Sequence, residues 1–535
     1  MLGGGVQGVQ LVFLLLLVFV VVFGALARKL ETPYPIVLVL AGLAICFVPG
    51  IPRIALDPDL VFFVFLPPLL YAAAWGTSWR DFSYNLVSIA SLAFNLVAFT
   101  VVGVALTARQ LLAGFDWRLG MVLGAVVAPT DAIAATSIAR RLGLPRRIVD
   151  VLEGESLVND ATGLVALEFA VAMVASGEAP GVADAILRLA WLVAGGIGLG
   201  LLLARLVECL ELRIDDAPIE ITISILVPYA AYLAAQAARA SGVLAVVACG
   251  LYLSRHSTRF FSPQVRLEVY SVWDALTFIL NGVVFVLIGL QLPYVLAGIR
   301  GMFGLRALLV YGALLSGVVI VLRLSWVFPG AALSYFIRRR ALKQREKTPP
   351  ARQLVVVGWA GMRGVVSLAA ALALPRMLRD GTAFPYRNLI IFLTFCVILA
   401  TLVGQGLSLP ALIRVLRLGG DQGARCELLE AQRIVLETAL RHIEESRPRD
   451  DPRWAGIYDD LAQHYRERLD ALGESAEARG PEAHRKYVHL VGELQKVERE
   501  AAIRLRDEGR ISDEVLRQIE HDLDLREARL TAGAV

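Results

Sequence analysis

The chain has 535 residues, 57% of them hydrophobic, and its mean hydropathy is +0.64. This composition, with apolar runs of about twenty residues along most of the chain, is typical of a polytopic membrane protein. The formal net charge of +4 is small for this length and gives no support to nucleic-acid binding. Charged residues become frequent only after about residue 420, so we expect a transmembrane domain over residues 1–418 and a polar helical domain over residues 419–535.

The first apolar run, residues 10–27, ends in Ala25-Leu-Ala27, which resembles a signal-peptide cleavage site. However, no Lys or Arg precedes the run, whereas Arg28 and Lys29 follow it. This polarity favours a retained first span with its N-terminus outside. The cysteines are scattered and lack CxxC spacing, so neither a disulfide framework nor a cysteine metal site is indicated.

Hydropathy predicts about thirteen membrane spans. We place them at residues 9–27, 34–50, 59–75, 84–107, 118–139, 150–175, 185–207, 217–238, 242–254, 268–296, 304–336, 353–376 and 386–416. With the N-terminus outside, the inner loops hold roughly twice the Lys and Arg of the outer loops, as the positive-inside rule requires. The C-terminal domain is then cytoplasmic, and we expect a multi-pass protein of the plasma membrane.

The fifth predicted span contains Ala128-Pro-Thr-Asp131 about midway through the bilayer. Proline lacks a backbone N–H and its ring opposes a continuous helix, so we expect the span to be broken at Pro129. Broken backbone at membrane depth leaves free carbonyls and helix ends that suit a cation. Asp131 fits equally well as a helix cap and as a ligand.

The sixth predicted span carries the segment Glu153-Gly-Glu-Ser-Leu-Val-Asn-Asp160-Ala-Thr-Gly163. At about 1.5 Å per residue, Asp160 lies near the middle of a core about 30 Å thick. Ser156, Asn159 and Asp160 share one helix stripe, on which Gly163 would let another backbone come close. Ionisable groups are costly in hydrocarbon, so this segment predicts a cation site built around one carboxylate.

The twelfth predicted span contains Gly358-Trp-Ala-Gly-Met-Arg-Gly364, with Arg363 near the midplane and three glycines that weaken the helix. An arginine at that depth needs an anionic partner, and Glu155, Asp131 and Asp160 are the candidates. Interrupted fifth and twelfth spans occupy similar places in two halves of the chain, which is the pattern of an inverted-repeat transporter.

Four motifs together resemble the sodium/proton exchanger branch of the monovalent cation/proton antiporters, in a bacterial form. They are Ala128-Pro-Thr-Asp131, Glu153-Gly-Glu-Ser-Leu-Val-Asn-Asp160, Gly358-Trp-Ala-Gly-Met-Arg-Gly364 and Thr401-Leu-Val-Gly-Gln-Gly-Leu-Ser-Leu-Pro410. The resemblance covers most of residues 10–418. It implies an all-α fold of about thirteen transmembrane helices with inverted repeats and two broken crossing helices, a six-helix ion-carrying core, a dimerisation domain and a homodimer.

The same resemblance implies electroneutral exchange of one Na⁺ for one H⁺, with Asp160 as the ligand that the two ions share. Thr130 and Ser156 would supply further oxygen ligands to the sodium, and Asn159 and Asp131 would complete the cation and proton site. Glu155 would form an ion pair with Arg363. No organic cofactor is implied beyond the transported ions.

Several alternatives stay open at this point. Members of this family often carry a glutamate after a Leu-Pro-Pro-Leu-Leu-aromatic stretch, but here residues 66–71 are followed by Ala72, Ala73 and Ala74. Selectivity for Na⁺ over K⁺ is therefore open, and a K⁺/H⁺ antiporter or a cation channel is the alternative function. Thr130 and Ser156 fit equally well as bonds between helices. Other intramembrane polar residues fit structure and function equally: Glu168, Asp274 and Asn281.

An intramembrane enzyme is not favoured, because the spans supply no HExxH motif and no second histidine near His256. Beyond about residue 419, apolar residues at three- and four-residue spacing predict helices over 426–445, 457–472, 483–507 and 512–530. We expect them to form a small helical module, for which regulation of transport is a hypothesis.

Overall fold

The structure is a computed structural model, and it describes the chain with several gaps. The described residues are 6–46, 58–112, 114–177, 181–299, 304–340, 343, 349–378, 381–418, 422–447, 452–474 and scattered positions between 494 and 523. Within them the chain is helical and forms no β-strand beyond one isolated bridge, between Met377 and Ala383. The all-α fold predicted from the sequence is confirmed.

The chain divides into two compact units, Met1–Asp421 and Gln422–Val535. The helices of the first unit are α1 Val6–Lys29, α2 Tyr34–Ile45, α3 Pro58–Leu60, α4 Leu66–Gly76, α5 Trp79–Ala90, α6 Val97–Leu111, α7 Trp117–Val127, α8 Ala132–Arg141, α9 Arg146–Ser176, α10 Val182–Glu211, α11 Ala217–Ala237, α12 Gly242–Phe260, α13 Pro263–Leu290, α14 Leu292–Ile299, α15 Leu305–Arg340, α16 Ala351–Trp359, α17 Val365–Leu372, α18 Arg387–Leu399 and α19 Gly406–Leu416. Wider π-helical turns precede or join some of them, at Val61–Phe65, Ser91–Leu96 and Ala400–Gln405.

Eight helical segments of the described chain are long and apolar enough to cross a membrane. They are Trp79–Leu111, Trp117–Arg141, Arg146–Ser176, Ala183–Glu211, Ala217–Ala237, Pro263–Ile299, Arg306–Arg340 and Arg387–Leu416. Shorter apolar helices occur at Tyr34–Ile45 and Val61–Gly76. The multi-pass architecture is thereby confirmed, whereas the number of thirteen spans stays a prediction.

Both predicted helix breaks are present. The fifth predicted span is divided into α7 and α8, which are separated by residues 128–131. The twelfth is divided into α16 and α17, which are separated by residues 360–364. Proline and clustered glycine therefore act here as their backbone chemistry dictates.

Two packing groups organise the first unit. In one, α6, α7 and α9 pack together, and α15 packs on α6, α16 and α18. In the other, α12 packs on α4, α10 and α11. The first group contains both breaks, so we refer to α5–α9 with α15–α19 as the core bundle.

The second unit begins with two helices, α20 Gln422–Ser446 and α21 Ala455–Glu474. They pack against each other through ion pairs of 2.8 Å from Arg466 to Glu444 and from Arg447 to Asp459. These helices confirm the predictions over 426–445 and 457–472. The predicted helices 483–507 and 512–530 lie largely outside the described residues.

Candidate ion-binding site

The two helix breaks meet in the core bundle. In the first break, the backbone N–H of Asp131 donates to the carbonyl of Met362 in the second break, at 2.7 Å. This bond joins one unwound segment directly to the other. Around it, residues 128–131 and 360–364 lie outside the regular helices.

Asp131 is held by backbone at this crossing. Its Oδ1 accepts a hydrogen bond from the Ile133 N–H at 2.9 Å and so caps α8. Its other oxygen, Oδ2, lies where a side chain at Gly364 would be, because a Cβ added there would be 2.0 Å away. Glycine at 364 therefore lets the second break approach the carboxylate. The predicted capping role of Asp131 is present and uses Oδ1.

We expect Gly364→Ala to disrupt this crossing. The added methyl group cannot coexist with Asp131 Oδ2, so the breaks must separate at a cost of about 1–3 kcal/mol typical of overpacking. Thermal unfolding of the purified variant measures the loss of stability. Gly404→Ala is the matched control, because a Cβ at Gly404 would have no neighbour within 4 Å. Equal melting temperatures for the two variants would contradict the proposed fit.

Thr130 and Asn159 link the first break to the middle of α9. The Asn159 side-chain amide donates to the Thr130 hydroxyl at 2.8 Å, and that hydroxyl donates to Glu155 Oε1 at 3.0 Å. All three residues are buried. The Thr130 hydroxyl is thus engaged by two partners, and its role as a bond between helices is present whether or not it also binds an ion.

Asp160 lies at the middle of α9, with 7% of its surface exposed. Among the described residues, no hydrogen-bond donor contacts its carboxylate, and the acidic Asp131 is close enough to interact electrostatically. One turn further along α9, Gly163 packs on the Pro129 ring, where a Cβ would lie 2.2 Å from Pro129 Cγ. Asp160 is therefore a nearly buried carboxylate beside the first break, and no basic side chain of the described residues pairs with it.

Ser156 also faces the first break. Its hydroxyl accepts a hydrogen bond from the Ala132 N–H, at 3.3 Å, at the start of α8. The structure thus brings all five predicted cation and proton residues to one crossing point: Asp160, Thr130, Ser156, Asn159 and Asp131. Their oxygens are the hard donors that a monovalent cation prefers.

The predicted ion pair between Glu155 and Arg363 is wrong, because Arg323 of α15 takes that place. Arg323 Nη1 lies 2.5 Å from Glu155 Oε1, and Nη2 lies 2.8 Å from Oε2. Both side chains are 1% exposed. The guanidinium reaches Glu155 past Gly361, where a Cβ would lie 2.1 Å from Arg323 Cδ. A bidentate geometry and a glycine that makes room for it explain why Arg323 is the partner.

Arg363 contacts backbone carbonyls instead of a carboxylate. Its Nε donates to the Val127 carbonyl at 3.1 Å, and its Nη1 donates to the Gly361 carbonyl. Its own N–H donates to the Thr401 hydroxyl, at 3.1 Å. Val127 is the last residue of α7, where carbonyls lack helical partners and the helix dipole is negative. Arg363 therefore neutralises the end of a half-helix.

Sequence reasoning missed Arg323, although a single arginine within the apolar run of α15 is a visible signal. It also missed Gln405, which is 1% exposed and whose two amide atoms find no hydrogen-bond partner within the described part of the chain. The only signal for Gln405 in the sequence is that it is a polar residue within an apolar run.

The remaining intramembrane polar residues lie apart from the crossing or at its edge. Glu168 pairs with Arg188 at 3.1 Å, and Asp274 is exposed. Asn281 is buried and lies beside Tyr34, whose hydroxyl is close enough to Asp131 to interact electrostatically. Ala72, where the family pattern has a glutamate, lies on α4, and α4 contacts α9.

Comparison with known proteins decides the family. The family model "Sodium/hydrogen exchanger, transmembrane" matches residues 15–415. The chain belongs to this family. An uncharacterized Na⁺/H⁺ exchanger of Mycobacterium tuberculosis (strain ATCC 25618 / H37Rv) is 36% identical over 531 residues, which cover 97% of this chain and 96% of that protein. The family is one of transporters rather than enzymes, so this exchanger is a membrane protein that moves monovalent cations against protons.

Relatives with more specific names are also similar to this exchanger. The Na⁺/H⁺ antiporter ApNhaP of Aphanothece halophytica is 32% identical over 77% of this chain and 75% of its own length. A sodium, potassium, lithium and rubidium/H⁺ antiporter of Bacillus pumilus is 33% identical over 78% of this chain and 63% of its own length. The sodium proton antiporter MjNhaP1 from Methanocaldococcus jannaschii has the same fold, with a TM-score of 0.59 at 20% identity over 76% of this chain and 99% of that one.

Proposed function

We propose that this exchanger couples the two ion fluxes through the single carboxylate of Asp160. The observation that carries the proposal is the burial of Asp160 beside unwound backbone with no basic partner among the described residues. Such a carboxylate is costly to keep charged and uncompensated in the membrane. It is neutralised either by a proton or by a cation, and competition between the two couples their movements.

The coupling follows from charge compensation. When Asp160 holds a proton, or when it is ionised and holds a cation, the charge of its own carboxylate is compensated, and the site can change its exposure from one side of the membrane to the other. The bare carboxylate is expensive to move, so the empty site does not cross. Each crossing therefore carries one ion, and no organic cofactor is needed.

The cation is held by oxygens that the crossing brings together. Asp160 supplies one carboxylate, Asp131 Oδ2 a second, and Ser156 and Thr130 supply hydroxyl or carbonyl oxygens. Arg323 and Glu155 neutralise each other, and Arg363 neutralises the α7 end, so none of these charges competes for the cation. Their shared task is to keep the two breaks in place around Asp160.

We propose an electroneutral exchange of one cation for one proton. Position 159, next to Asp160, is an asparagine whose amide donates to Thr130. An aspartate there would add a further titrating charge beside those of Asp160 and Asp131. Asn159 removes that charge and fixes Thr130 at the same time.

Few protein ligands are available at the proposed site to select among monovalent cations. Ala72 to Ala74 supply no carboxylate on the α4 side of α9. The Bacillus pumilus relative is named for sodium, potassium, lithium and rubidium, and a site with fewer protein ligands is more tolerant of ion size. We favour Na⁺ as the principal substrate and K⁺ as the alternative.

Exchange in proteoliposomes tests the proposal. We expect saturable proton movement driven by Na⁺, Li⁺ and K⁺ gradients in turn, with rates unchanged when valinomycin clamps the membrane potential. Conductance without counter-movement of protons would indicate a channel and exclude the antiporter. In the same assay, deletion of residues 419–535 with no change in the pH profile would exclude a regulatory role for the second unit.

We further propose a homodimer in the plasma membrane with the N-terminus outside and the C-terminus cytoplasmic. Among the candidate spans, Ala183–Glu211 has the smallest buried share, which leaves a long apolar face for lipid or for a second copy. Multi-angle light scattering of the purified protein distinguishes one copy from two. Cysteine accessibility in cells reports the side of each terminus.

A further inference from the structure

The turn between α1 and α2 contacts the last residue of α8. Arg141 Nη2 lies 2.6 Å from Glu31 Oε2, and Arg141 Nη1 donates to the Glu31 carbonyl. Arg141 ends α8, which is the second half of the span that contains the first break. Glu31 therefore holds the end of a core-bundle helix from outside the bundle, through its side chain and its backbone together.

The backbone of Glu31 has an unusual conformation. α1 ends at Lys29, and the N–H groups of Glu31 and Thr32 donate back to the carbonyls of Arg28 and Ala27. This helix ending places Glu31 at φ 53°, in the left-handed region where glycine is the ordinary choice. A glutamate is strained there, and strain in a residue that makes a specific contact points to a function for that contact.

The α1–α2 turn belongs to a group of helices other than the core bundle, because α1, α2 and α13 pack on one another. Two glycines bring α2 and α13 into backbone contact. A Cβ added to Gly42 would lie 2.5 Å from the Val286 carbonyl oxygen, and one added to Gly289 would lie 2.4 Å from the Val39 carbonyl oxygen. Contacts this close leave little room for movement between the two helices, so the turn and α13 form one body.

The boundary between this group of helices and the core bundle passes the ion site. Tyr34, the first residue of α2, is close enough to Asp131 to interact electrostatically. Ile36 packs on the start of α19, where a Cβ added to Gly406 would lie 2.6 Å from Ile36 Cδ1. A site that belongs to the bundle changes its exposure when the bundle rocks or slides against such neighbours.

The contact between Glu31 and Arg141 is suited to forming and breaking. Arg141 is 49% exposed and Glu31 is 78% exposed, so water replaces each partner when they separate. An exposed ion pair shifts an equilibrium by only about two- to fivefold. The buried pair of Glu155 with Arg323 is different, because its separation leaves two buried charges without partners. The exposed pair can therefore open during transport, whereas the buried pair stays closed.

We propose that Glu31 and Arg141 form a latch that is closed in this structure and opens when the ion site changes its exposure. The inference rests on the proposed exchange, since the latch has a role only if the core bundle moves during transport. When the latch is closed, α8 and the first break that precedes it are held against the α1–α2 turn. Loss of the latch changes how often the site faces each side of the membrane and leaves the ion ligands intact.

Reversible cross-linking in proteoliposomes tests the latch. In the full chain with its five native cysteines replaced by alanine, Glu31→Cys and Arg141→Cys are joined by a bis-methanethiosulfonate that spans the ion pair. We expect Na⁺-driven proton movement to fall to the rate of protein-free liposomes and to recover with a reductant. Arg140→Cys with Glu153→Cys is the matched control, because this pair, at 2.7 Å, joins α8 to α9 inside the core bundle. Cross-linking should leave exchange by the control unchanged.

Point variants separate the latch from folding. Arg141→Gln and Glu31→Gly should each change the half-saturating Na⁺ concentration by about two- to fivefold and in the same direction, because each removes the ion pair. Glu31→Gly also relieves the left-handed backbone, so its melting temperature should equal or exceed that of the unmodified protein. A lower melting temperature with unchanged half-saturation would show a purely structural contact and overturn the latch.

The cross-linking result can also contradict the proposal. Equal exchange before and after cross-linking of positions 31 and 141 would show that the turn and α8 do not separate. Equal inhibition of the control pair would show that the boundary between the two groups of helices is not what the cross-link blocks. Exchange by the unmodified protein is measured first, and its absence would refute the proposed function and the latch with it.

Discussion

Replacing Asp160 by asparagine is expected to reduce cation-driven proton movement in proteoliposomes to the rate of protein-free liposomes. The amide is isosteric with the carboxyl group but neither ionises nor exchanges a proton, so it cannot be neutralised alternately by the two ions. The fold should survive, because a neutral amide is cheaper to bury than an unpaired carboxylate. We therefore expect a melting temperature equal to that of the unmodified protein or higher.

The combination of lost exchange with retained stability distinguishes a transport role from a structural one. Asp184→Asn is the matched control, since Asp184 is exposed in the first turn of α10, outside the core bundle. That variant should exchange at the unmodified rate. A well-folded Asp160→Asn protein that still exchanged cations for protons would refute the shared-carboxylate mechanism.

The location of Asp160 was predictable because the signals that fix it are local. Pro129 breaks α7 from α8 by its missing N–H, and the glycines around Arg363 weaken the other span. Helix rise then converts residue count into depth, which places Asp160 level with both breaks. The close approach at Gly163 was also predictable, because that glycine shares a stripe with Asp160. Only its contact, the Pro129 ring, needed the structure.

The partner of Glu155 was not predictable in the same way. Depth narrows the candidates to arginines near the midplane, and both Arg323 and Arg363 meet that condition. The choice between them depends on which helix lies beside α9, and hydropathy carries no information about lateral order. In the structure, Gly361 leaves room for the Arg323 side chain to reach Glu155. Arg363 instead donates to the Val127 carbonyl at the end of α7.

The need for glycine at position 364 was not predictable from the sequence either. The sequence indicates that glycines weaken the twelfth span, but it does not say which glycine is required for a contact. In the structure, Gly364 is the position at which a methyl group would overlap Asp131, whereas Gly404 has open space. A role that depends on the distance between two breaks more than two hundred residues apart in the chain cannot be read from either break alone.

Breaking the Glu155–Arg323 pair is expected to destabilise the exchanger more than any other single change in the core bundle. Glu155→Gln leaves the Arg323 guanidinium buried and unpaired, and Arg323→Met leaves the Glu155 carboxylate buried with only the Thr130 hydroxyl. Each should cost about 3–5 kcal/mol, the range for removing one partner of a buried ion pair. Chemical denaturation in lipid–detergent micelles measures this loss.

The double variant, Glu155→Gln with Arg323→Met, should recover much of that loss. It buries no charge, and the glutamine still offers an acceptor to Thr130. A double-mutant cycle then gives the coupling between the two positions, for which contacting residues typically show about 0.5–3 kcal/mol. A parallel cycle of Glu155→Gln with Arg363→Met serves as the control, because Arg363 donates to backbone carbonyls.

A larger coupling of Glu155 to Arg323 than to Arg363 supports separate roles for the two arginines at the crossing of the breaks. Arg323 then holds Glu155, and through Thr130 and Asn159 it fixes the first break beside Asp160. Arg363 holds the end of α7 independently. The reverse order of the two couplings would make Arg363, and not Arg323, the partner that holds Glu155. In either case the cycles separate the charges that position the breaks from the carboxylate that exchanges ions, because neither arginine lies within hydrogen-bonding distance of Asp160.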